Sequence, residues 1–111
     1  MIAVGTTVVR ALEHAALHDG VVQAGTAVAN QRIGAHTTLC VVDAILSGTH
    51  EPGTSHYELL RAFASDIALV RAACELDARG YRTHEFGDSV FIERSAHYAA
   101  CAAKNERRIA A

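Results

Sequence analysis

The sequence predicts an α/β domain: a small, mostly parallel sheet with flanking helices. Three observations carry this. Apolar runs at 2–4 and 37–42 do not alternate with polar residues, as in strands buried on both faces. Stretches with helical spacing follow them and carry their own start and stop residues. The resulting order is strand, helix, strand, helix, helix, strand, which lets helices cover a sheet. A chain of 111 residues has room for one such domain and not two.

In chain order, Ile2-Ala3-Val4 is the first strand and Gly5-Thr6-Thr7 ends it. A helix follows over about 7–18, with Thr6 or Thr7 as its cap, Gly20 as its stop and Val8, Leu12, Ala15 and Ala16 as an apolar stripe. Val21-Val22 and residues 26–28 are candidate short strands. The second strand is expected at 37–42. A polar loop with His50, Glu51, Pro52 and Gly53 comes next, then a helix in which Ser55 as cap and Glu58 three residues on form a capping box. Ser65-Asp66 starts a further helix to about Arg79, with Ile67, Val70, Ala73, Cys74 and Asp77 near one face and Gly80 as terminator. Residues 81–86 and 89–92 are strand-like around Gly87-Asp88, a turn or a bulge. Ser95 is placed as the cap of an Ala-rich helix that frays at its charged end.

Composition narrows the function. Aromatic residues are 5% of the chain and Trp is absent, which points to a core of small aliphatic side chains. A net charge of −2 with no strongly basic stretch is not the footprint of a protein that grips nucleic acid unaided. Cys40, Cys74 and Cys101 are odd in number and widely spaced, so they are read as reduced thiols of a cytoplasmic protein. No apolar run is long enough to cross a membrane, and the first residues lack the pattern of a secretion signal.

The stretch 43–63, DAILSGTHEPGTSHYELLRAF, is the richest in chemistry. Asp43, His50 and Ser55 are expected to converge where a strand end meets a helix N-terminus, a common ligand position in α/β proteins. His50 suits general acid or base work, because imidazole titrates near neutrality. Asp43 could orient it or bind a sugar hydroxyl. Ser55 could donate to a substrate or simply cap. Gly5-Thr6-Thr7, with Arg10 one turn on, could receive an anion at the helix start, although it is neither a dinucleotide fingerprint nor a phosphate loop. His14 and His18 have metal-ligand spacing, but Ala15 stands where a metalloprotease needs Glu, and no metal is expected. Asp88 after Gly87 either projects into a cleft or closes a turn.

Four ordered stretches together carry a resemblance: AVGTTVVRALE at 3–13, VVDAILSGTHEPGTSHYELLRAF at 41–63, Gly80-Tyr81-Arg82, and EFGDSVFI at 85–92. They resemble the C-terminal part of the S-adenosylmethionine:tRNA ribosyltransferase-isomerase family of queuosine biosynthesis. That family shows a GTTSVRTLE-like segment, then VDGLLTNFHLP with a Ser/Thr pair, then YRFFSYGDAMLI. The resemblance covers about residues 2–93. It places 1–94 as the C-terminal part of the α/β domain of a larger two-domain enzyme, with 95–111 as a helical or frayed tail.

The resemblance implies transfer of the ribosyl group of S-adenosylmethionine to 7-aminomethyl-7-deazaguanine in tRNA. Rearrangement then gives epoxyqueuosine, and adenine and methionine leave. S-adenosylmethionine is a consumed substrate, and no cofactor is implied. The matched positions are Gly5, Thr6, Thr7 and Arg10, then Asp43, His50, Pro52, Thr54 and Ser55, and last Gly87 and Asp88. By resemblance His50 is the acid or base. Asp43 and Asp88 contact ribose or base, and the Gly5–Thr7 turn with Arg10 holds the methionine carboxylate or a phosphate. The family enzyme is about three times longer, so tRNA contacts are expected in the region absent here. An exposed sheet edge could then drive self-association. Gly48-Thr49, Glu51, His56 and Thr83-His84 depart from the family toward polarity. They leave two alternatives: an inactive fragment serving at most as an interaction module, or a transferase with a small nucleoside-like substrate.

Overall fold

The computed structural model describes residues 1–82 and 87–95. Its sheet has three strands in the order β1 (Ile2–Val4), β2 (Ala44–Gly48), β3 (Ser89–Glu93). β1 and β2 are parallel, with Ala3 opposite Ile45. β2 and β3 are antiparallel, with Ile45 opposite Ile92. The α/β class holds, while the sheet is mixed: one of its two strand pairs is parallel.

α1 (Thr6–Ala15) leaves β1 through Gly5, which has φ +92° and ψ 153°. Only glycine adopts that conformation without strain. With no side chain at Gly5, α1 has no side-chain cap, contrary to the expectation for Thr6 or Thr7. The Gly5 amide instead extends the sheet, donating to Leu46 O at 2.9 Å. The buried stripe of α1 is Val9, Glu13 and Ala16 with Leu12 packed beside it, and Val8 is exposed.

The second strand is displaced from its expected place. Residues 37–42 are not a strand, and neither are 21–22 or 26–28. Leu39 and Val42 are buried, which explains the apolar run, but the amides of Cys40, Val41 and Val42 donate to the Glu13 carboxylate at 2.7, 3.0 and 2.9 Å. A segment whose N–H groups are taken by a side chain cannot give them to a neighbouring strand.

α2 (Ser55–Leu60) is capped by Thr54, whose Oγ1 accepts from Tyr57 N at 3.1 Å. The capping box therefore shifts by one residue: Ser55 is the first helical residue, and Glu58 pairs with Arg61 at 2.8 Å. α3 (Asp66–Ala78) is capped by Ser65, as its sequence predicts. Its end is a Schellman motif, with Gly80 at φ +72°, Gly80 N donating to Asp77 O and Tyr81 N donating to Leu76 O. α3 buries Leu69, whereas Ile67 and Val70 are exposed, so its inward face is rotated from the expected one.

The core lies on one side of the sheet, where Ala3, Ile45 and Ile92 meet Val9, Leu59, Leu60 and Phe63. Phe63 and Tyr57 give it more aromatic bulk than the composition suggested. Among the described residues no helix is long and apolar enough to cross a membrane. Of the strand expected at 81–86, residues 81 and 82 are not in a strand and 83–86 lie outside the described residues, as does the tail helix expected after Ser95, with Cys101.

Candidate functional site

Topology gathers most of the singled-out residues at one edge of the sheet. β1 and β2 run parallel, so both C-terminal ends face that edge; β3 runs against them, so its N-terminal end does too, with Gly48 opposite Ser89. The edge therefore carries Gly5, Thr6 and Thr7 after β1, His50 after β2, and Gly87 and Asp88 before β3. Thr54 and Ser55 open α2 beside it.

Asp43 is not among them. It precedes β2 and so stands at the opposite edge, with the whole strand, about 16 Å long, between it and the His50 side. The convergence of Asp43 with His50 and Ser55 is not what the fold makes. At its own edge Asp43 pairs with the Met1 amine and with Arg94 at 2.8 Å. The hydrogen bond from that amine is the largest influence holding its carboxyl below the usual range, and Arg94 adds to it. Arg94 also donates to Leu39 O at 2.7 Å, which fastens the end of the long α1–β2 connection to β3.

Two buried hydroxyls shape the surroundings of His50. Ile45, Ser47 and Thr49 follow at period two, so all three turn toward the core side. Ser47 Oγ and His50 Nε2 share a hydrogen bond of 3.3 Å, whose direction depends on which ring nitrogen carries the proton. Thr49 Oγ1 donates to Arg82 O at 3.0 Å. Beyond the loop, the His56 ring lies 4.7 Å from that of His50, tilted by 54°. The loop is pinned by Thr54, whose hydroxyl donates to Glu51 O at 2.9 Å.

Asp88 closes a turn. Its carboxylate accepts from Arg82 N at 2.7 Å, and its own amide donates to Arg82 O at 2.9 Å. The Arg82 carbonyl is thus shared by Asp88 and Thr49, which ties the His50 loop to the start of β3.

Behind the loop lies a cavity of about 190 Å³. Its floor is apolar, made by Tyr57, Leu60, Leu69, Ala72, Leu76 and Ile92, and Thr49, His50, Glu51 and Asp77 supply polar groups. A small planar ligand fits such a space, with an imidazole able to pass a proton at its wall. Two carboxylates there favour a cationic ligand. Arg10 makes no ion pair with any other described residue and sits in the second turn of α1, near the open helix start. Among the described residues no three of His, Cys, Asp and Glu gather as a metal site.

Ser47, Thr49 and Glu13 were missed. Glu13 has a visible sign: it falls four residues after Val9 on the apolar stripe, where a charge must find partners. Ser47 and Thr49 become legible only once β2 is in its true position.

Comparison with known proteins bears on this edge. A family profile described as queuosine biosynthesis protein matches residues 1–92. The chain is 40% identical over 92 residues to the S-adenosylmethionine:tRNA ribosyltransferase-isomerase of Geobacter sulfurreducens, covering 83% of this chain and 27% of that one. Against the protein of that name from Dechloromonas aromatica it is 37% identical over 95 residues, covering 86% and 27%. The crystal structure of S-adenosylmethionine tRNA ribosyltransferase from Thermotoga maritima superposes with a TM-score of 0.69 at 30% identity, covering 81% of this chain and 31% of that one. The chain thus spans about a quarter of the length of the curated relatives it matches.

Proposed function

This chain belongs to the queuosine biosynthesis protein family, and from that premise we propose that it supplies the C-terminal part of a ribosyl-transferring and isomerising active centre. The reaction is transfer of the ribosyl group of S-adenosylmethionine to 7-aminomethyl-7-deazaguanine in tRNA, followed by rearrangement to epoxyqueuosine. S-adenosylmethionine is consumed, and tRNA is gripped mainly by the portion of the family protein outside this chain. The setting is the cytoplasm.

The observation that supports the reading best is that Gly5, Thr6 and Thr7, then His50, Thr54 and Ser55, and then Gly87 and Asp88, drawn from three family-like segments, gather at one edge of the sheet. His50 is the acid or base: adenine is a poor leaving group unless protonated, and an imidazole, which gains and loses a proton near neutrality, can supply that proton. Ser47 holds that ring. The cavity wall with Glu51 and Asp77 suits a sulfonium cation beside an apolar purine. Gly5, Thr6, Thr7 and Arg10 are assigned to the methionine carboxylate or a phosphate, which the positive end of α1 favours. Thr54 pins the His50 loop through Glu51 O, Ser55 opens α2 beside it, and Asp88, after Gly87, ties Arg82 to the start of β3. Asp43 stands at the far edge, ion-paired there with Arg94, and is given no role at this ligand.

The test joins this chain to the remaining portion of the Geobacter sulfurreducens relative and measures adenine released from S-adenosylmethionine. Release that requires modified tRNA supports the proposal. Equal release without tRNA would point to a small-molecule transferase, and no release under either condition to an inert module.

A further inference from the structure

The cavity behind the His50 loop holds a polar group that the fold itself leaves unused. Tyr57 is 9% exposed and lines this cavity. Its amide bonds to Thr54, but among the described residues its hydroxyl makes no hydrogen bond, and it is not shut away from open space. For a residue this buried on the cavity floor, that open space is the cavity. A buried phenol ordinarily finds a partner, so this O–H is held for a ligand. Asp77, in the last turn of α3, brings a second polar group to the same space, and its carboxylate makes no ion pair among the described residues.

Size and chemistry together select the ligand. At about 190 Å³ the space is smaller than the roughly 300–1,000 Å³ of sites that take a whole drug-sized molecule, so it takes a flat base and leaves an attached sugar at the mouth. A carboxylate only accepts hydrogen bonds, and a phenol hydroxyl can donate one. A ring that carries an amino group beside an unprotonated ring nitrogen satisfies both. A ring with oxygen in place of that amino group turns an acceptor toward a carboxylate. We infer that Tyr57 and Asp77 make this cavity a pocket selective for adenine. Asp77 accepts from the exocyclic amino group, Tyr57 donates to a ring nitrogen, and 6-oxopurines are turned away. The inference rests on the ribosyl-transfer reading for the source of the base, the adenosyl group of S-adenosylmethionine, and adds the two side chains that recognise it. Glu51, on the loop, remains for the sulfonium.

The test titrates the full chain with adenine, hypoxanthine and unsubstituted purine, followed by ligand-observed NMR. Adenine is expected to bind at least about tenfold more tightly than either, the difference that one hydrogen bond to a charged group makes. Asp77→Ala should bring adenine down to the affinity of purine and leave purine unchanged. Tyr57→Phe removes only the hydroxyl and should weaken adenine and purine alike, by about three- to tenfold. Glu75→Ala, which removes an exposed carboxylate of α3 outside the cavity, should change neither. Melting of the variants should match that of the unaltered chain, since Asp77 is exposed and Phe keeps the ring of Tyr57. The inference is overturned if adenine does not bind, if hypoxanthine or purine binds as well as adenine, if the preference survives Asp77→Ala, or if Tyr57→Phe binds like the unaltered chain. Adenine release by the joined protein is scored separately. Release without a base bound in this cavity removes the pocket and leaves the reaction, and a bound base without release does the reverse.

Discussion

Removing the Glu13 carboxylate should undo the connection that leads into β2. Glu13 is 3% exposed and accepts three backbone N–H groups, from Cys40, Val41 and Val42. In Glu13→Ala the Val42 amide is left buried and unpaired, which costs about 2–3 kcal/mol. The amides of Cys40 and Val41 are only partly buried and regain water, so each costs about 0.5–1 kcal/mol. The sum is about 3–5 kcal/mol, a large share of the roughly 5–15 kcal/mol that holds a small domain folded. Glu13→Gln keeps one oxygen for Val41 and Val42, which share Oε1, but presents an NH₂ to the Cys40 amide. It should therefore cost about half as much. Urea titration followed by circular dichroism gives the free energies, and amide exchange at 40–42 gives the local effect. A Glu13→Ala variant within about 0.5 kcal/mol of the unaltered chain would refute the clamp, since that is the size of an ordinary surface change.

Two further predictions follow from single positions. Gly5→Ala should destabilise by about 1–3 kcal/mol through the backbone alone, because φ is +92° while an added Cβ meets nothing within 4 Å; a neutral result in a melting experiment would contradict that conformation. Cys40 should react with iodoacetamide at pH 8 more slowly than a free cysteine, although it is exposed. Its thiol is pushed above the usual value by burial and then by the Glu13 carboxylate, so less thiolate is present, and the gap should close as pH rises well beyond the ordinary thiol value of about 8.5. Equal rates at pH 8 would remove the influence of Glu13 on that thiol.

The helix starts were the most legible features, because a cap is a local event. Ser65 was placed correctly and the α2 cap was missed by one residue, since Thr54 and Ser55 carry the same hydroxyl and only the backbone decides between them. The second strand was not legible. Residues 37–42 have strand composition, and what prevents a strand is a carboxylate 27 residues away, which no local pattern shows. That misplacement also misjudged Asp43: with β2 starting at Ala44, the residue before it faces the wrong edge. His50, Gly5 and Asp88 came together because strand directions alone carry them to one side. The role of Asp88 in holding Arg82 is the turn closure that Gly87-Asp88 allowed from the start.

The central claim is that this edge carries proton-transfer chemistry through one imidazole. Its most direct test is single-turnover adenine release from S-adenosylmethionine by the joined protein bound to modified tRNA, with His50 intact and as His50→Ala. The account predicts a fall of about 10²–10⁴-fold in the chemical step, with S-adenosylmethionine binding and melting temperature nearly unchanged. A His50→Ala protein that releases adenine at the unaltered rate would contradict it.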